Sequence, residues 1–563
     1  MMKEKQFGPS SSPHLPRPYF WQAFPWEIEA LSRQPRYLFP PEDLMASLLE
    51  IYFANVHPTI PILHRPSFER SVTEGLHLTN HSFGEPCFLC WQMHRYSTDP
   101  RVFVESGDPH SAGWKFACQL LRVHTFFQPT IYEIQMYALL SVFVLGTSAP
   151  YASWSYTGLG IRGLQQRGYH RRKPAGHKWS PEDELWTRAF WVLCTLERIA
   201  SLFIGRPMGL HAEEYDIELP LEVDDEYWEN GFTQPPGRPS QLSFFVCYVQ
   251  LCEILGDALR RLYGSKKAKI SMGWDGPEWE QRAVAELDST MNRFLDSIPS
   301  HLRWDLGNLP QGIFFDQSAQ LHIMYNYILI AIHRRYIHRP AAPSLSICAS
   351  AARAILNTAD IWLRKLQRLP LPNIKNPVFM AGVVLVLYTL ATKRAGLTMD
   401  KNKDLVHIKT ALEILKFAEA RLQPPGRSWE LLTELCSLDG PLLTKSPPKD
   451  QSDSSNSSEG ISTPSLTNGQ YSPQFEESVD SWSSMFTAEQ PPESIQGKSI
   501  EELLASDGQP CAVQSIFDDD LMSMWMAAPT ASDVENIQHW DAFLENRMEN
   551  GVNGDWSFAE PYL

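Results

Sequence analysis

The segment from Ser180 to Pro220 constrains the fold of this 563-residue chain more than any other. It opens with signals for the start of a helix. Ser180 is a favourable N-cap residue, Pro181 fits the first helical position, and Asp183 stands where a capping box places its acid. Gly205 can adopt the left-handed backbone conformation that ends a helix. Together these signals predict one helix from Ser180 to the residue before Gly205.

This predicted helix carries an apolar surface on most of its sides. Five apolar residues recur at helical spacing along it, namely Ala189, Leu193, Leu196, Ala200 and Phe203. Three aromatic residues widen that stripe, namely Trp186, Phe190 and Trp191. Such a helix is expected to be largely buried. Glu197 and Arg198 lie within the same pattern, and buried charges need partners. They predict a structural pair or network at the helix core, with ligand sensing as the alternative.

The string WTRAFWVLCTLERIASLFIGRPMGLHAEEYDIELP closely resembles the middle regulatory region of fungal zinc-cluster transcription factors. This region is called the fungal-specific or xylanolytic-activator regulatory domain. Its hallmark is a Trp-rich helix with an acidic-Arg pair, followed by Gly-Arg-Pro and an acidic segment that ends in Leu-Pro. The resemblance makes Glu197, Arg198, Gly205, Arg206 and Pro207 the structural signature of the domain in this chain.

Shorter matches to the same family flank this segment in the expected order. They are PILHRPSF near residue 65, YSTDPRVF at residues 96–103 and IPSHLRWD at residues 298–305. Residues 81–96 depart from the family pattern, because Gly84-Glu85-Pro86 stands where the family has an uninterrupted apolar helix. We therefore expect either local divergence or an error in the gene sequence at this point.

The remaining pattern predicts an all-α fold: one large multi-helix regulatory domain and a disordered acidic C-terminal tail. Short extended segments are possible only at residues 60–63 and 217–221. Gly158, Gly160 and Gly163 predict a close approach between helices. The predicted division is a flexible lead-in at 1–36, the regulatory domain at 37–310, its helical continuation at 311–440, and the tail at 441–563. The longest apolar run, at residues 378–391, is too short to span a membrane, so no membrane association is expected.

The acidic charge of the chain is concentrated in its tail. Residues 441–563 hold 21 acidic and four basic residues, whereas the whole chain has a net charge of −16. Residues 1–440 are therefore close to neutral and lack a basic footprint for nucleic acid. Apolar residues stand among the acids of the tail, which is typical of activation regions. Phe517, Leu521, Trp525 and Trp540 are the predicted contacts with the transcription machinery.

The cysteines of the chain do not match the zinc cluster of the family. That cluster uses six closely spaced cysteines, whereas the nine cysteines of this chain are scattered. We expect no cofactor in this chain, and zinc only if a six-cysteine cluster lies upstream. The resemblance then implies that DNA is reached through a missing module or a partner protein. Cys87, Cys90 and His94 are the nearest approach to a metal site, but zinc normally needs four ligands.

Two further motifs have alternative interpretations. Asp224, Asp225 and Glu226 could hold metal and diphosphate in an all-helical enzyme, although no partner motif accompanies them. Arg171, Arg172 and Lys173 form the best candidate for nuclear import, with an ordinary solvated loop as the alternative.

The resemblance implies a fungal transcription regulator that acts in the nucleus and is not an enzyme. The family includes regulators that respond to metabolites, so a small-molecule effector is possible, as is a homo- or heterodimer. Two other functional classes stay open. One is a cofactor or scaffold that acts through a DNA-binding partner, and the other, less favoured, is an all-helical enzyme.

Overall fold

The computed structural model describes residues 37–91, 97, 99–104, 108–120, 128–274, 276–337, 343–394 and 401–437. Within these ranges the chain forms 16 α-helices and no β-strand, which confirms the all-α fold. The segments at 60–63 and 217–221 are irregular rather than extended strands. The lead-in and the acidic tail, with the four predicted activation residues, lie outside the described ranges.

The helices follow one another along the chain. They are α1 (Glu42–Asn55), α2 (Arg65–Thr73), α3 (Leu76–Thr79), α4 (His81–Trp91), α5 (Trp114–Ala117), α6 (Ile131–Val144), α7 (Ala152–Arg167), α8 (Pro181–Ile204), α9 (Leu242–Tyr263), α10 (Lys266–Ser271), α11 (Pro277–Ser297), α12 (Ile313–His333), α13 (Ser344–Leu366), α14 (Pro372–Arg394), α15 (Lys401–Glu419) and α16 (Gln423–Leu435). The long connection at residues 205–241 joins α8 to α9.

Helix α8 begins and ends where its sequence signals predict. The Ser180 hydroxyl accepts the backbone N–H of Asp183 at 3.1 Å, and the Asp183 carboxylate accepts the backbone N–H of Ser180 at 3.1 Å, which completes the capping box. Gly205 ends the helix with a φ of +71°. Of the 24 residues of α8, 19 are buried. The helix therefore lies inside the protein rather than on its surface.

A single hydrophobic core connects the described helices. Helix α8 packs against α6, α7 and α9, and α9 in turn packs against α11 and α12. The last five helices, α12 to α16, each pack against the next in sequence. The buried apolar residues form one cluster from Leu44 to Cys436. The helices on both sides of residue 310 thus share one core.

The Gly84-Glu85-Pro86 sequence does not interrupt the chain's helical structure, because α4 continues through it with Pro86 inside the helix. Gly84 allows this helix to pack closely, since a Cβ there would lie 3.2 Å from the Phe39 ring. Glu85 is buried and accepts a hydrogen bond from the Tyr37 hydroxyl at 3.1 Å. Residues 81–91 are therefore helical, and the expected local divergence or gene-sequence error stays a prediction.

Two helices of the described part pass a length and composition test for membrane spans. They are α9 and residues 373–393 of α14, so the apolar run at residues 378–391 belongs to a longer helix than its sequence suggested. Within the protein, 67% of the α9 window and 94% of the α14 window are buried. Such burial is typical of core helices.

The three glycines of α7 differ in how closely they are packed. A Cβ on Gly163 would lie 2.7 Å from Ile134 Cδ1 and 2.9 Å from Pro129 Cγ, whereas Gly158 has no atom within 4 Å of that position. A Cβ on Gly160 would lie 2.7 Å from Leu193. Close approach is therefore confirmed at Gly160 and Gly163 and is wrong at Gly158.

This difference predicts opposite effects of substitution within one helix. Gly163→Val should lower the free energy of unfolding by about 1–3 kcal/mol, because the added atoms overpack the contact with α6. Gly158→Ala should raise it by up to about 1 kcal/mol, because alanine favours a helix over glycine. Urea unfolding followed by circular dichroism measures both. Equal effects of the two substitutions would contradict the close packing at Gly163.

Candidate functional site

The N-terminal half of α8 holds a fully buried arginine. The Arg188 side chain is 0% exposed, and its Nη1 donates to the Asp225 carboxylate at 2.6 Å. Its Nε donates to Glu184 at 3.3 Å, and its Nη2 donates to the Val223 carbonyl at 3.3 Å. The guanidinium carbon lies 4.5 Å from the centroid of the Trp228 ring. Each nitrogen of this buried cation thus has an acceptor.

The same aspartate also binds the segment that precedes α2. Asp225 Oδ2 accepts the backbone N–H of Arg65 at 2.8 Å and lies 3.3 Å from His57 Nε2. His64 Nε2 lies 3.0 Å from the Asp225 carbonyl, which can only accept, so this nitrogen carries the proton. The His64 ring stacks on Trp228 with 4.1 Å between centroids. Arg188 and Asp225 therefore join three segments that are distant in sequence.

The charges of this network follow from its burial. Burial alone would raise the pKa of the Asp225 carboxyl, but the Arg188 guanidinium and a hydrogen bond from His57 outweigh it and hold that pKa well below its usual range. Burial raises the pKa of Glu184, although Arg188 and Trp179 oppose the change. Asp225 is therefore the carboxylate that most firmly balances the charge of Arg188.

The two aspartates of the Asp224-Asp225-Glu226 motif face different partners. Asp224 Oδ1 accepts the Ser240 hydroxyl and the Gln241 backbone N–H, each at 2.8 Å. Glu226 is exposed. The carboxylates thus do not converge on a shared position, and the described residues contain no group of three His, Cys, Asp or Glu arranged to hold a metal ion. This geometry gives no support to metal and diphosphate chemistry at the motif.

Glu197 and Arg198 bind different parts of the protein. Glu197 Oε1 accepts the backbone N–H of Gly209 at 2.9 Å. Arg198 Nη2 donates to the Tyr215 hydroxyl at 2.6 Å and lies 2.5 Å from Glu253 on α9. The Tyr215 hydroxyl in turn donates to Glu253 at 2.6 Å. Glu197 thus contacts the loop after α8, whereas Arg198 contacts the next long helix.

Close packing surrounds both of these side chains. Burial raises the pKa of the Glu197 carboxyl, while backbone N–H groups of Gly209 and Leu210 lower it. A Cβ added at Gly209 would lie 3.0 Å from Glu197 Oε1, and one added at Gly256 would lie 3.0 Å from Arg198 Nε. Glycine at these two positions leaves room for the buried charges. Neither carboxylate nor guanidinium is presented to a solvent-filled cleft.

The three residues of the Gly-Arg-Pro turn are exposed, and one of them accepts a hydrogen bond from α7. The Pro207 carbonyl accepts the indole N–H of Trp154 on α7 at 3.0 Å. Arg206 is exposed. The turn therefore joins the end of α8 to α7 through its backbone, and the Arg206 side chain points to solvent.

The basic residues at 171–173 each contact an acidic side chain. Arg171 lies 4.0 Å from Asp216, Arg172 lies 3.0 Å from Glu218, and Lys173 lies 2.8 Å from Asp183. Arg171 and Arg172 are nevertheless exposed at 61% and 68% of their side-chain area. Their role in nuclear import stays a prediction.

The cysteine motif near residue 90 is only partly described. Cys87 is buried in α4, and burial raises the pKa of its thiol well above the ordinary value, which disfavours the thiolate that binds metal. His94 lies outside the described residues. The seven cysteines that the structure describes are free thiols.

Sequence reasoning missed the central pair of the network. Glu184 and Arg188 are four residues apart on a helix rich in Trp, which is the spacing of a helical ion pair. That spacing is the local sequence signal for this pair. The contact of Arg188 with Asp225 crosses 37 residues of sequence and has no local signal.

Buried imidazoles predict that acid destabilises the protein. Burial lowers the pKa of five histidines, namely His64, His77, His301, His322 and His407, and it lowers the pKa of His322 to about 4. Each of these groups binds a proton less readily in the folded protein than in the unfolded chain, where it titrates near pH 6.5. The unfolded chain then binds more protons, so the free energy of unfolding falls as the pH falls below about 6.5.

Urea unfolding between pH 7 and pH 5 measures this dependence. His322→Asn should reduce the loss of stability over that interval, because it removes a histidine whose pKa burial lowers to about 4. An unchanged slope in this variant would show that His322 does not titrate as its burial requires.

The known proteins that this chain resembles are fungal transcription factors. The family described as "Fungal specific transcription factor domain" matches residues 49–271, which include the Arg188 network and the Glu197 and Arg198 contacts. "Cutinase transcription factor 1 alpha" of Fusarium vanettenii is 23% identical over 322 residues, which cover 55% of this chain and 33% of that protein. "Transcriptional activator protein acu-15" of Neurospora crassa is 23% identical over 388 residues, which cover 65% and 40%.

A third relative extends the pattern. The "ABC-transporter-regulating transcription factor" of Aspergillus fumigatus is 25% identical over 352 residues, which cover 56% of this chain and 38% of that protein. The chain thus spans about a third to two fifths of the length of these curated relatives. Their names describe transcription factors rather than enzymes. Residues 49–271 of this chain are thus similar to the fungal specific transcription factor domain, and the relatives that match the chain are fungal transcription factors.

Proposed function

We propose that this chain is a fungal transcription regulator in which the helical region is a regulatory scaffold and the acidic tail recruits the transcription machinery. The observation that carries the proposal is the environment of α8. Its buried charged residues, Arg188, Glu197 and Arg198, bind other parts of the same chain rather than an open cleft. Such an arrangement suits a scaffold better than an active site. No catalytic activity is proposed.

Contact with DNA is proposed to come from a zinc-cluster module outside this sequence or from a partner protein. The first 440 residues are nearly neutral. The cations of the 171–173 loop are placed beside carboxylates. A helical region of this kind lacks the dense positive charge with which proteins neutralise phosphates. A nuclear location and assembly into a homo- or heterodimer accompany this proposal.

A cofactor that never binds DNA itself is the second candidate. The same near-neutral charge favours it, because such a protein would reach DNA only through a DNA-binding partner. An in-frame six-cysteine cluster in the genomic sequence upstream of Met1 would favour the zinc-cluster regulator. The absence of that cluster would favour the cofactor.

The activating role of the tail can be measured directly. Residues 441–563 fused to an unrelated DNA-binding domain should activate a reporter gene, because apolar residues among acids can dock in hydrophobic grooves of the transcription machinery. Replacing Phe517, Leu521, Trp525 and Trp540 with Ala should reduce the activity of the fusion at least about fivefold, since such docking depends on the apolar anchors.

A control variant separates apolar docking from general effects of substitution. Ala at Ser454, Asn456, Ser457 and Asn468 changes four polar residues of the same tail and should leave reporter activity unchanged. Immunoblots would confirm equal amounts of each fusion. A silent wild-type fusion would refute the activation role of the tail, and equal losses in both variants would refute the role of the four apolar residues.

A further inference from the structure

Two leucines near the start of the described chain are exposed to solvent although they are apolar. Leu38 is 75% exposed and Leu78 is 69% exposed, which makes them the most exposed large apolar side chains that the structure describes. A single exposed leucine is common on a protein surface, whereas apolar residues exposed side by side mark a surface that another element covers. The position of these two leucines relative to each other therefore matters.

Both leucines flank one group of ring contacts that joins residues 37–39 to α3 and α4. The centroid of the Tyr37 ring lies 5.1 Å from that of the His81 ring, and the centroid of the Phe39 ring lies 5.0 Å from that of the His77 ring. One leucine stands between the two aromatic residues in sequence, and the other directly follows His77. The two leucines thus belong to one surface, which the start of the described chain and α3 form together.

The part of the chain that leads into this surface is rich in aromatic residues. Residues 19–31, YFWQAFPWEIEAL, include five Phe, Tyr or Trp side chains. Residues 1–18 hold one such side chain and four prolines. Aromatic side chains gain a large free energy when they pack against an apolar surface. Residues 19–31 are therefore suited to cover one.

The same part of the sequence carries the signals of a short amphipathic helix at residues 25–33. Pro25 fits the first helical position, and Pro35 follows the expected end. Phe24, Ile28 and Leu31 recur at i, i+4 and i+7, so they share one face of this predicted helix. An apolar face of this kind needs a partner surface.

We propose that residues 19–33 fold back on the two exposed leucines and cover them with the apolar face of the predicted helix. Only six Cα–Cα steps separate Leu31 from Tyr37, and they span at most about 20 Å, so the segment stays close to the surface. A connection this short gives the segment a high effective concentration there, which favours it over a partner in solution. The proposal confines the flexible lead-in predicted for residues 1–36 to residues 1–18.

Amide hydrogen exchange of the full chain, read by mass spectrometry, tests this contact from the side of the helix. Replacing Phe24 and Ile28 with Ser should speed the exchange of amides in α3 and α4 at least about tenfold, because the surface then loses its apolar cover. Replacing Glu29 and Arg33 with Ser changes two residues on the opposite face of the same predicted helix. This control should leave the exchange of α3 and α4 unchanged.

The reciprocal variant tests the contact from the side of the surface. Leu78→Ser should speed the exchange of amides at residues 25–33 about fivefold, since one of the two covered leucines is removed. Leu306→Ser removes a leucine that is 60% exposed elsewhere on the protein, and it should leave that exchange unchanged. Both leucines are exposed in the described structure, so neither substitution disturbs the core.

The outcomes that would overturn the proposal are distinct. Unchanged exchange of α3 in the variant of Phe24 and Ile28, or equal acceleration in the control of Glu29 and Arg33, would show that the apolar face does not cover the leucines. Protection that rises with protein concentration would show that a second copy of the chain covers them instead. Slow exchange of the buried helix α8 confirms that each variant is folded, and these results do not depend on whether the chain regulates transcription.

Discussion

Replacement of Arg188 by Ala should lower the free energy of unfolding by about 3–5 kcal/mol, because it leaves the buried Asp225 carboxylate without its partner. The Arg188 side chain is 0% exposed and contacts both Asp225 and Glu184. Water cannot replace these contacts without opening the core. Part of the loss also comes from the guanidinium that lies over the Trp228 ring.

Arg206→Ala is the matched control for this variant. It removes the same side chain from an exposed position at the end of the same helix, and it should change the free energy of unfolding by no more than about 0.5 kcal/mol. Urea unfolding at pH 7 compares the two. A loss below about 1 kcal/mol in Arg188→Ala would mean that the buried pair is not formed as the structure shows.

Trp186→Ala should also lower the free energy of unfolding by about 3–5 kcal/mol, because it creates a cavity inside the core. The Trp186 side chain is 1% exposed and stacks on Tyr169 with 4.2 Å between ring centroids. The Arg167 guanidinium lies 5.3 Å from the Trp186 ring centroid, so the substitution also removes this cation–π contact. Near-ultraviolet circular dichroism should report the loss of this stack.

Trp154→Ala is the control for the removal of an indole. Trp154 is half-buried on α7, and its main polar contact is the hydrogen bond to the Pro207 carbonyl. Replacing Trp154 should lower the free energy of unfolding less than replacing Trp186, since less buried apolar surface is removed. Equal decreases in the free energy of unfolding for the two variants would contradict the difference in burial between Trp154 and Trp186.

The ends and the burial of α8 could be predicted because their causes are local. The Ser180 and Asp183 capping box and the left-handed Gly205 involve residues within one turn of each end. The apolar stripe repeats at the helical period, so it marks the buried face without knowledge of any other segment. The all-α class follows from many such segments.

The partners of the buried charges could not be predicted, because tertiary packing brings them together. Arg198 reaches Glu253 on another helix, and Glu197 reaches a backbone N–H twelve residues further on. Adjacent positions on a helix point in different directions, which separates these two neighbours. The Asp224 and Asp225 pair is divided in the same way between Ser240 and Arg188.

The helix through Gly84-Glu85-Pro86 could not be predicted from its own residues either. Proline inside a helix is unfavourable on its own. In the structure, Gly84 packs close to Phe39, and the Glu85 carboxylate accepts the Tyr37 hydroxyl. Contacts with the segment before α1 therefore accompany this helix, and neither contact has a signal within residues 81–91.

A double-mutant cycle between Arg188 and Asp225 tests most directly the claim that α8 is an interior scaffold. The free energy of unfolding is measured for the wild type, Arg188→Met, Asp225→Leu and the double variant. We expect the double variant to lose less free energy of unfolding than the sum of the two single variants. The coupling energy between the two sites should be at least about 2 kcal/mol. Additive decreases in the free energy of unfolding, with a coupling energy below about 0.5 kcal/mol, would contradict the claim that α8 is an interior scaffold.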